Sequence, residues 1–512
     1  MLGNYLNYNF VNKREIIIYN INDKQAKMSR ILILGAGISG HTAAGILRNK
    51  LGSQHQVTVV SPNSKWNWIP SNIWVGVGVM KPEDVTFELR QVYNRLGIEF
   101  HQAKATAIFP EGSQSRPSPF VSVEYTDPGK KGETAELTYD YLINATGPKL
   151  NFSATPGLGP DGYTESVCTF GHAEEANKKL QALIREMKNG ARKKLLIGTG
   201  HGTCTCQGAA FEYIFNVEYE LRRAGVRDKA EITWMSNEYK LGDLGIGGLH
   251  LKRGGYITHS QIFTESLYTE RGIKWITGAA PVKIEEGKVV YKNLAGEEKT
   301  IEFDFAMLLP PFTGVELKAY DKNKGDITDQ LFMKNAFMKV DADYTPKKYE
   351  EWKASDWPAT YQNPIYPNIF AAGIAFAPPH QISKPMSAPD GTIITPAPPR
   401  TGMPSGMIAR AVAMSIMDMI KNENTKATHK ASLAEMGAAC VASAGASLTK
   451  GTAAAITLYP IVPDFEKYPI YGRDINYTFG EIGLGAHWIK HFLHYMFIYK
   501  AKGYPGYTLI PE

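Results

Sequence analysis

The chain has 512 residues, 43% of them hydrophobic, and a formal net charge of +6 at pH 7. This length and apolar content are enough for more than one buried core, which excludes a disordered protein. The small positive excess is weak evidence for an anionic membrane surface, and without a basic cluster it gives no reason to expect nucleic acid binding. The four cysteines, Cys168, Cys204, Cys206 and Cys440, are too few for a disulfide scaffold and too scattered for a four-thiolate zinc site, so we expect no metal.

The start of the chain lacks the charged, apolar and small-residue order of a secretory signal, and no run reaches the roughly 18 apolar residues that a membrane-spanning helix needs. Met28 opens directly onto the first motif. We therefore interpret residues 1–28 as an N-terminal extension without an assigned function, and we expect a chain that does not span a bilayer.

Residues 29–60 follow the order of a βαβ unit, with an apolar strand, a glycine turn, a helix and a second strand. Gly35, Gly37 and Gly40 lie in that turn, where a pyrophosphate can approach the free amides of the helix N-terminus. The pattern predicts a dinucleotide site. The acidic residue that commonly binds the ribose after the second strand is missing, and Ser61 is the candidate in its place.

A second strand, glycine turn and helix follow at 194–221, so the sequence predicts an α/β protein with two nested dinucleotide-type folds. Thr203 stands where the third glycine of this turn is expected, and we therefore predict a fold that binds no nucleotide. One intact and one degraded site together indicate a permanently held FAD and no nicotinamide partner. NADH should then be a poor reductant.

Several strings resemble, in the right order, those of sulfide:quinone oxidoreductases and the related flavocytochrome c sulfide dehydrogenases. They are residues 66–78, 165–173, 203–212, 308–314, 433–440 and the tail at 487–490 and 499–500. Strands that end in Thr146-Gly147 and at Gly373 also resemble the crossover segments of flavoproteins with two dinucleotide domains. The resemblance implies two nested Rossmann-like domains of the flavoprotein disulfide reductase type, with a C-terminal amphipathic membrane-attachment region.

The domain organisation that we predict follows from these positions. It has a first part of the FAD-binding domain at 29–155, a second Rossmann-like domain with a degenerate nucleotide site at 156–305, a return segment of the FAD-binding domain at 306–430 with a surface insertion at about 320–363, and a C-terminal region at 431–512.

The resemblance implies that Cys168 and Cys440 form a redox-active pair that oxidises hydrogen sulfide to a polysulfide, with electrons passing through FAD to a membrane quinone. Glu165 and His172 flank Cys168 and are candidates for proton transfer, although a glutamate at a helix start and a core histidine are equally ordinary readings. The candidate cofactor-binding residues are Gly35, Gly37, Gly40, Ser61, Pro70, Ser71, Asn72, Ala105, Thr146, Gly147, Gly373 and Arg400, the last in place of a family lysine.

No cysteine precedes Cys168, where many family members carry a third one, so we expect the FAD to be non-covalent. Cys204 and Cys206 could be a redox or metal pair, but two thiols without further ligands nearby favour inert, buried packing. Taken without the resemblance, Cys168 and Cys440 would also be ordinary small core residues.

The tail has an apolar spacing at Trp488, Phe492 and Met496, with Ile489 and Leu493 beside them and positive charge at Lys490, Lys500 and Lys502. This predicts an amphipathic helix at a bilayer interface, with packing against the protein body or an oligomer partner as the alternative. Phe479 and Tyr495 are candidates for stacking on a quinone. We expect a peripheral membrane protein and a homo-oligomer, and we expect the two folds to hold the flavin without the tail.

Other functions stay open on the sequence alone. A flavocytochrome c-type sulfide dehydrogenase subunit would pass electrons to a haem protein, and a type II NADH:quinone oxidoreductase would share the fold and the tail. Outside catalysis, the chain could be a flavin-binding scaffold.

Overall fold

The computed structural model describes residues 28–205, 207–445 and 449–511. The predicted N-terminal extension up to residue 27 and the predicted packing of Cys206 therefore lie outside the described residues.

The longer helices form where apolar residues recur at helical spacing and a polar cap precedes them. Thr169 caps the helix α5, its hydroxyl accepting a hydrogen bond from the His172 amide at 3.2 Å, and that helix buries Ala173, Ala176 and Leu180. In chain order the helices are α1 (Ile38–Leu51), α2 (Asn72–Val75), α3 (Pro82–Val85), α4 (Leu89–Leu96), α5 (Phe170–Lys188), α6 (Gln207–Arg223), α7 (Ser260–Glu270), α8 (Thr328–Leu331), α9 (Gly402–Asn422) and α10 (Leu484–Ala501).

The strands are mostly short. In chain order they are β1 (Arg30–Leu34), β2 (Gln56–Ser61), β3 (Lys65–Asn67), β4 (Thr86–Glu88), β5 (Glu99–Phe109), β6 (Phe120–Tyr125), β7 (Thr134–Thr138), β8 (Tyr141–Asn144), β9 (Pro148–Leu150), β10 (Lys193–Thr199), β11 (Ala230–Met235), β12 (His250–Arg253), β13 (Tyr256–His259), β14 (Ile273–Ile276), β15 (Ala279–Glu285), β16 (Lys288–Asn293), β17 (Glu298–Glu302), β18 (Phe305–Leu309), β19 (Phe312–Gly314), β20 (Lys318–Ala319), β21 (Ile369–Ala371), β22 (Ala438–Ala444), β23 (Thr452–Leu458) and β24 (Phe479–Gly483).

The first predicted dinucleotide fold is centred on β1. This strand pairs in parallel with β2 on one side and with β8 on the other, and β8 pairs in turn with β21. The order of the sheet is β21-β8-β1-β2-β5-β6-β7, with β20 beside β5. Its central strands β1, β2 and β8 are mostly buried because parallel strands of this kind are covered on both faces. Of the two crossover strands predicted from sequence, β8 therefore lies next to the glycine-turn strand β1, and β21 lies on the far side of β8.

The second predicted fold is a parallel sheet with the order β14-β11-β10-β18. The strand before the second glycine turn, β10, lies between β11 and β18. An antiparallel sheet of β15, β16 and β17 follows it in the chain and leads into β18. Two Rossmann-like sheets are therefore present, as predicted, although the exact domain boundaries stay a prediction.

A third sheet was not predicted. Its order is β13-β12-β24-β23-β22, so it joins a hairpin of the second fold to strands near the end of the chain. The small-residue segment around 438–458 is an antiparallel pair, β22 and β23, and α10 packs on this sheet. Among the described helices, none combines the length and the apolar character required to cross a membrane.

The segment 320–363, predicted as a surface insertion, also supplies core. Phe332, Met338, Trp357 and Tyr361 are buried in the main apolar cluster. The sequence did not indicate that these residues are buried, because the segment is irregular and its aromatic residues recur at neither a helical nor a strand period.

Candidate flavin and thiol site

A single cavity of about 1780 Å³ extends from the glycine turn after β1 to the C-terminal helix α10. Ligand pockets commonly measure roughly 300–1,000 Å³, so this one has room for a dinucleotide and a second ligand. It brings together most of the site residues predicted from sequence: Gly35, Gly37, Ser61, Pro70, Ala105, Thr146, Gly147, Cys168, Gly373, Arg400 and Cys440 all line it.

The first glycine turn leaves open space at the start of α1, where a pyrophosphate could bind. Gly35 has φ +102°, and a Cβ on it would lie 2.1 Å from the carbonyl oxygen of Ala145. A Cβ on Gly40 would lie 1.9 Å from the carbonyl oxygen of Gly35, so the third glycine lets α1 approach the turn. Gly37 is the N-cap of α1, and a Cβ there would meet nothing within 4 Å. The amides at the start of α1 thus face open space, which suits an anion.

The second glycine turn packs closely against neighbouring segments of the chain. A Cβ on Gly200 would lie 2.4 Å from Cδ1 of Leu158, and one on Gly202 would lie 2.0 Å from the carbonyl oxygen of Ile393. The Gly202 carbonyl accepts hydrogen bonds from the amide of Thr395 at 2.8 Å and from Nδ2 of Asn237 at 3.0 Å. These contacts pack the second turn against neighbouring segments, and a second fold that binds no nucleotide stays a prediction from Thr203.

Cys168 and Cys440 line the cavity from different elements. Cys168 directly precedes the N-cap of α5, and its amide donates to the Ser166 hydroxyl at 3.1 Å. Cys440 lies in β22, and a Cβ on Gly208 would come within 3.0 Å of its Sγ. Gly208 therefore makes room for this sulfur beside the first turn of α6, where the helix dipole favours a negative charge.

An ion pair that the sequence did not suggest lies in the same cavity wall. Lys490 of α10 donates to Oε2 of Glu212 on α6, and Oε1 of Glu212 accepts from the Ser443 amide at 3.2 Å. The Lys490 Nζ also lies 5.5 Å from the centre of the Trp74 ring. Burial raises the pKa of Glu212, and the charge of Lys490 opposes that shift. The signal in the sequence that could have indicated this ion pair was the acidic Glu212 in a largely apolar stretch of α6.

Seven predicted site residues do not line the cavity: Gly40, Ser71, Asn72, Glu165, His172, Phe479 and Tyr495. Glu165 is buried and ion-paired with Lys179, and His172 lies one turn into α5. Phe479 and Tyr495 are on the outer surface, with 38% and 65% of their area exposed. The proton-transfer roles of Glu165 and His172 and the quinone-binding roles of Phe479 and Tyr495 stay predictions, because none of these four residues lines the cavity.

Cys204 is fully buried, and its Sγ donates to the Leu309 carbonyl oxygen at 3.0 Å. This placement agrees with inert packing.

Helix α10 is amphipathic, but not with the faces that the sequence predicted. Its buried side carries His487, His491 and His494, and burial lowers the pKa of His494 to about 4, so the helix docks without burying that charge at neutral pH. Leu493, Met496 and Phe497 line the cavity. The exposed side carries Trp488, Phe492, Tyr495 and Tyr499, and Ile489, which is 55% exposed, also reaches the cavity. Lys490, which the sequence placed on the basic outer face, lines the cavity instead.

The tail after α10 closes over the same cavity. Residues 507–511 line it, and Lys500 donates to the Ile510 carbonyl oxygen at 2.7 Å. Nε2 of His41, on α1 next to the glycine turn, lies 2.7 Å from the Ala501 carbonyl oxygen. The tail is therefore part of the cavity wall, and the expectation that the two folds hold a flavin without it stays a prediction.

The sequence of the chain is similar to the sulfide-quinone reductase of Aquifex aeolicus, with 29% identity over 474 residues that cover 92% of this chain and 91% of that protein. It is also similar to the mitochondrial sulfide:quinone oxidoreductase of Dictyostelium discoideum, with 22% identity over 290 residues that cover 56% and 57% of the two chains. No protein-family model matches the chain.

Among solved structures, the X-ray structure of the Aquifex aeolicus sulfide:quinone oxidoreductase superposes with a TM-score of 0.71 and 27% identity, covering 93% of this chain and 92% of that one. NDH2 from Plasmodium falciparum superposes with a TM-score of 0.55 and 14% identity, covering 83% and 90%, and shows a shared fold alone. Sequence and fold thus agree with the same Aquifex protein over nearly the whole chain. Both comparisons support the resemblance to sulfide:quinone oxidoreductases that the sequence motifs indicated.

Proposed function

We propose that this enzyme oxidises sulfide at Cys168 and Cys440, passes the electrons to FAD, and delivers them to a quinone at a membrane surface. The observation that carries the proposal is that both cysteines line the cavity that begins at the intact glycine turn. A thiol pair and a dinucleotide site in one enclosed space are what this chemistry requires.

The residues of the cavity fit FAD. The amides at the start of α1 would hold the pyrophosphate, and Ser61 at the end of β2 would face the ribose. The chemistry that a bound flavin supplies there is a two-electron sink that a quinone can reoxidise. Arg400 donates to the carbonyl oxygens of Ile374 and Phe376 at 2.8 and 3.1 Å, so it orients the loop that follows β21 at the cavity wall. No cysteine precedes Cys168, which supports non-covalent FAD.

The sulfur chemistry needs only the two cysteines and an electron acceptor. Hydrosulfide attacks one sulfur of a Cys168–Cys440 disulfide, the S–S bond breaks, and the products are a persulfide on one cysteine and a thiolate on the other. Reforming the disulfide then releases one zero-valent sulfur atom, one proton and two electrons. The net change is hydrosulfide to zero-valent sulfur, which further hydrosulfide carries away as a polysulfide.

The outer side of α10 supports attachment to a membrane. It exposes Trp488, Ile489, Phe492 and Tyr495, each by half or more of its area. A contiguous apolar and aromatic surface of this kind is typical of helices that lie in a bilayer interface. Because the other side of the helix lines the cavity, a lipid-soluble quinone would reach the site by passing α10.

The degraded second glycine turn, with Thr203 at the position of the third glycine, argues against the alternative of an NADH:quinone oxidoreductase.

The test is an anaerobic reduction of the purified holoenzyme. We expect sulfide to bleach the flavin absorbance within seconds, decylubiquinone to restore it, and NADH at equal concentration to leave it nearly unchanged. Acid precipitation should release the flavin into the supernatant. Bleaching by NADH but not by sulfide would overturn the proposal, and flavin retained in the acid pellet would overturn non-covalent binding.

A further inference from the structure

Arg473 is a buried cation behind the cavity wall. Only 4% of its area is exposed, and the residue itself does not line the cavity. Its guanidinium donates to four main-chain carbonyl oxygens, those of Ile246 at 3.0 Å, Gly248 at 3.1 Å, Pro460 at 3.1 Å and Ile461 at 3.0 Å. The first two belong to the loop after β11 and the other two to the segment after β23. One side chain therefore joins two segments that are distant in the chain.

The segment after β23 connects Arg473 to the strand that carries Cys440. Strand β23 pairs with β22, where Cys440 lies opposite Ile456. Beyond the end of β23, the Ile461 amide donates at 2.9 Å to the carbonyl oxygen of Met436, which lies just before β22. Ile461 also lines the cavity, as Cys440 does. The position of this segment is thus linked to the position of the Cys440 strand.

The loop after β11 is connected to the same sulfur through α6. A Cβ on Gly245 would lie 3.4 Å from Oε1 of Gln207, the first residue of α6. The next residue of that helix is Gly208, whose Cβ would come within 3.0 Å of the Cys440 Sγ. Ile246 lines the cavity beside these elements. Both segments that Arg473 binds therefore pack on elements next to Cys440.

This loop depends on side chains to keep its shape. From residue 236 to residue 249, all of which the structure describes, it contains no helix or strand. Leu244 lines the cavity with φ +57°, a conformation that costs energy for a bulky residue and that surrounding contacts must maintain. Its amide donates to Oε1 of the buried Glu238 at 2.7 Å, and the Gly245 amide donates to Oδ1 of Asp243 at 3.0 Å. Without Arg473, two carbonyl groups of this loop would lose their donor, so the loop should rearrange.

An arginine is suited to this position. Burial lowers the pKa of Arg473 to about 10, and the charge of Asp243 opposes that shift, so the guanidinium is protonated at neutral pH. Its N–H groups are donors only, and they lie in a rigid fork that reaches several carbonyl oxygens at once. A lysine has a single nitrogen and could not bind both segments in the same way.

We propose that Arg473 is a positioning residue for the reaction of Cys440 with sulfide, which holds this sulfur in place through the two backbone segments and touches neither sulfide nor flavin. The inference rests on the proposed function, in which sulfide reacts at the cysteines and quinone reoxidises the flavin. Only the first of these half-reactions needs Cys440. A displaced Cys440 should therefore slow the reduction of the flavin by sulfide and leave its reoxidation by quinone unchanged.

Stopped-flow measurement of both half-reactions in the purified holoenzyme, at matched flavin content, tests this inference. In Arg473→Ala we expect bleaching by sulfide to slow about a hundredfold, the effect that a displacement of roughly 1 Å can have. Decylubiquinone should reoxidise the dithionite-reduced variant at the wild-type rate. Arg473→Lys keeps the charge but not the fork, so it should also slow bleaching alone. It carries the test if Arg473→Ala yields no holoenzyme.

The matched control is Arg227→Ala. Arg227 also donates to carbonyl oxygens of separate segments, those of Ala230 at 2.8 Å and of Arg271 at 2.7 Å, but neither it nor these partners line the cavity. Its loss should lower the temperature of flavin release and leave both half-reactions at the wild-type rate.

Wild-type bleaching by sulfide in Arg473→Lys or Arg473→Ala would overturn the inference and leave Arg473 a role in stability alone. Equal slowing of both half-reactions would also overturn it, because a general defect does not distinguish sulfide from quinone. A different result would strike the proposed function itself: a wild-type enzyme that sulfide does not bleach, or a Cys440→Ser variant that bleaches at the wild-type rate.

Discussion

Replacing Lys490 by methionine should destabilise the enzyme because it leaves a buried carboxylate without its counter-ion. The side chains of Lys490 and Glu212 are only 12% and 6% exposed. After Lys490→Met, the Ser443 amide still donates to Glu212, but the charge of the lysine is gone. Removing one partner of a buried ion pair costs about 3–5 kcal/mol, whereas an exposed pair contributes about 0–1 kcal/mol.

The stability that Lys490→Met loses relative to the wild type should depend on pH in a defined direction. Burial already raises the pKa of Glu212 in the wild type against the influence of Lys490, and removing the lysine raises it further. Because the folded protein then binds this proton more tightly than the unfolded chain does, the stabilising effect of protonation is present at acid pH. This stabilisation is lost as the pH rises from the pKa of Glu212 in the unfolded chain, about 4.3, through its raised pKa in the folded variant. The variant should therefore be closer to the wild type at pH 5 than at pH 8.

The assay is the temperature at which flavin fluorescence is released, measured at both pH values, since one free energy of unfolding is not defined for a chain with several packed units. The control is Lys274→Met, which breaks an ion pair with Glu231 whose side chains are 67% and 50% exposed. The double variant Glu212→Gln with Lys490→Met should recover part of the loss, because no charge stays buried. A release temperature of Lys490→Met that matches Lys274→Met at pH 8, or a deficit that grows toward acid, would refute this reasoning.

Two further predictions concern how the cavity holds its cofactor. Gly40→Ala should yield protein with little flavin, because the added methyl would lie 1.9 Å from the Gly35 carbonyl oxygen, while Gly485→Ala, with nothing within 4 Å, should stay loaded. The ratio of flavin to protein absorbance decides this, and a fully loaded Gly40→Ala variant would contradict it. Deleting residues 502–512 should speed loss of flavin during gel filtration because 507–511 line the cavity, and retention equal to the full chain would contradict it.

The local parts of the site could be predicted from the sequence. The glycine turn at Gly35, Gly37 and Gly40 is a short-range pattern that follows from backbone sterics and helix-terminus electrostatics, and the structure has the expected strand, turn and helix there. Thr203 likewise predicts a second turn that holds no nucleotide, and the structure places the strand, turn and helix of that fold where the sequence expected them.

The long-range parts could not be predicted. Glu212 and Lys490 are 278 residues apart, and nothing in either local sequence indicates that they meet. The third sheet pairs β12 with β24, more than 220 residues later, through a single register pair. The spacing of Trp488, Phe492 and Met496 predicted one apolar face of α10, but apolar residues also serve as a cavity wall, so Met496 turns inward and histidines dock the helix. Periodicity identifies an amphipathic helix without identifying what each side contacts.

The central claim is that Cys168 and Cys440 act as one unit, and sulfide-dependent quinone reduction by their serine variants tests it most directly. At matched flavin content, we expect Cys168→Ser and Cys440→Ser each to abolish turnover, and the double variant to be no worse than either, because residues that act as a unit are not additive. Cys204→Ala should keep turnover and lose only about 1 kcal/mol of stability from packing, since its sulfur is fully buried. Wild-type turnover in either serine variant, or its loss in Cys204→Ala alone, would contradict the assignment.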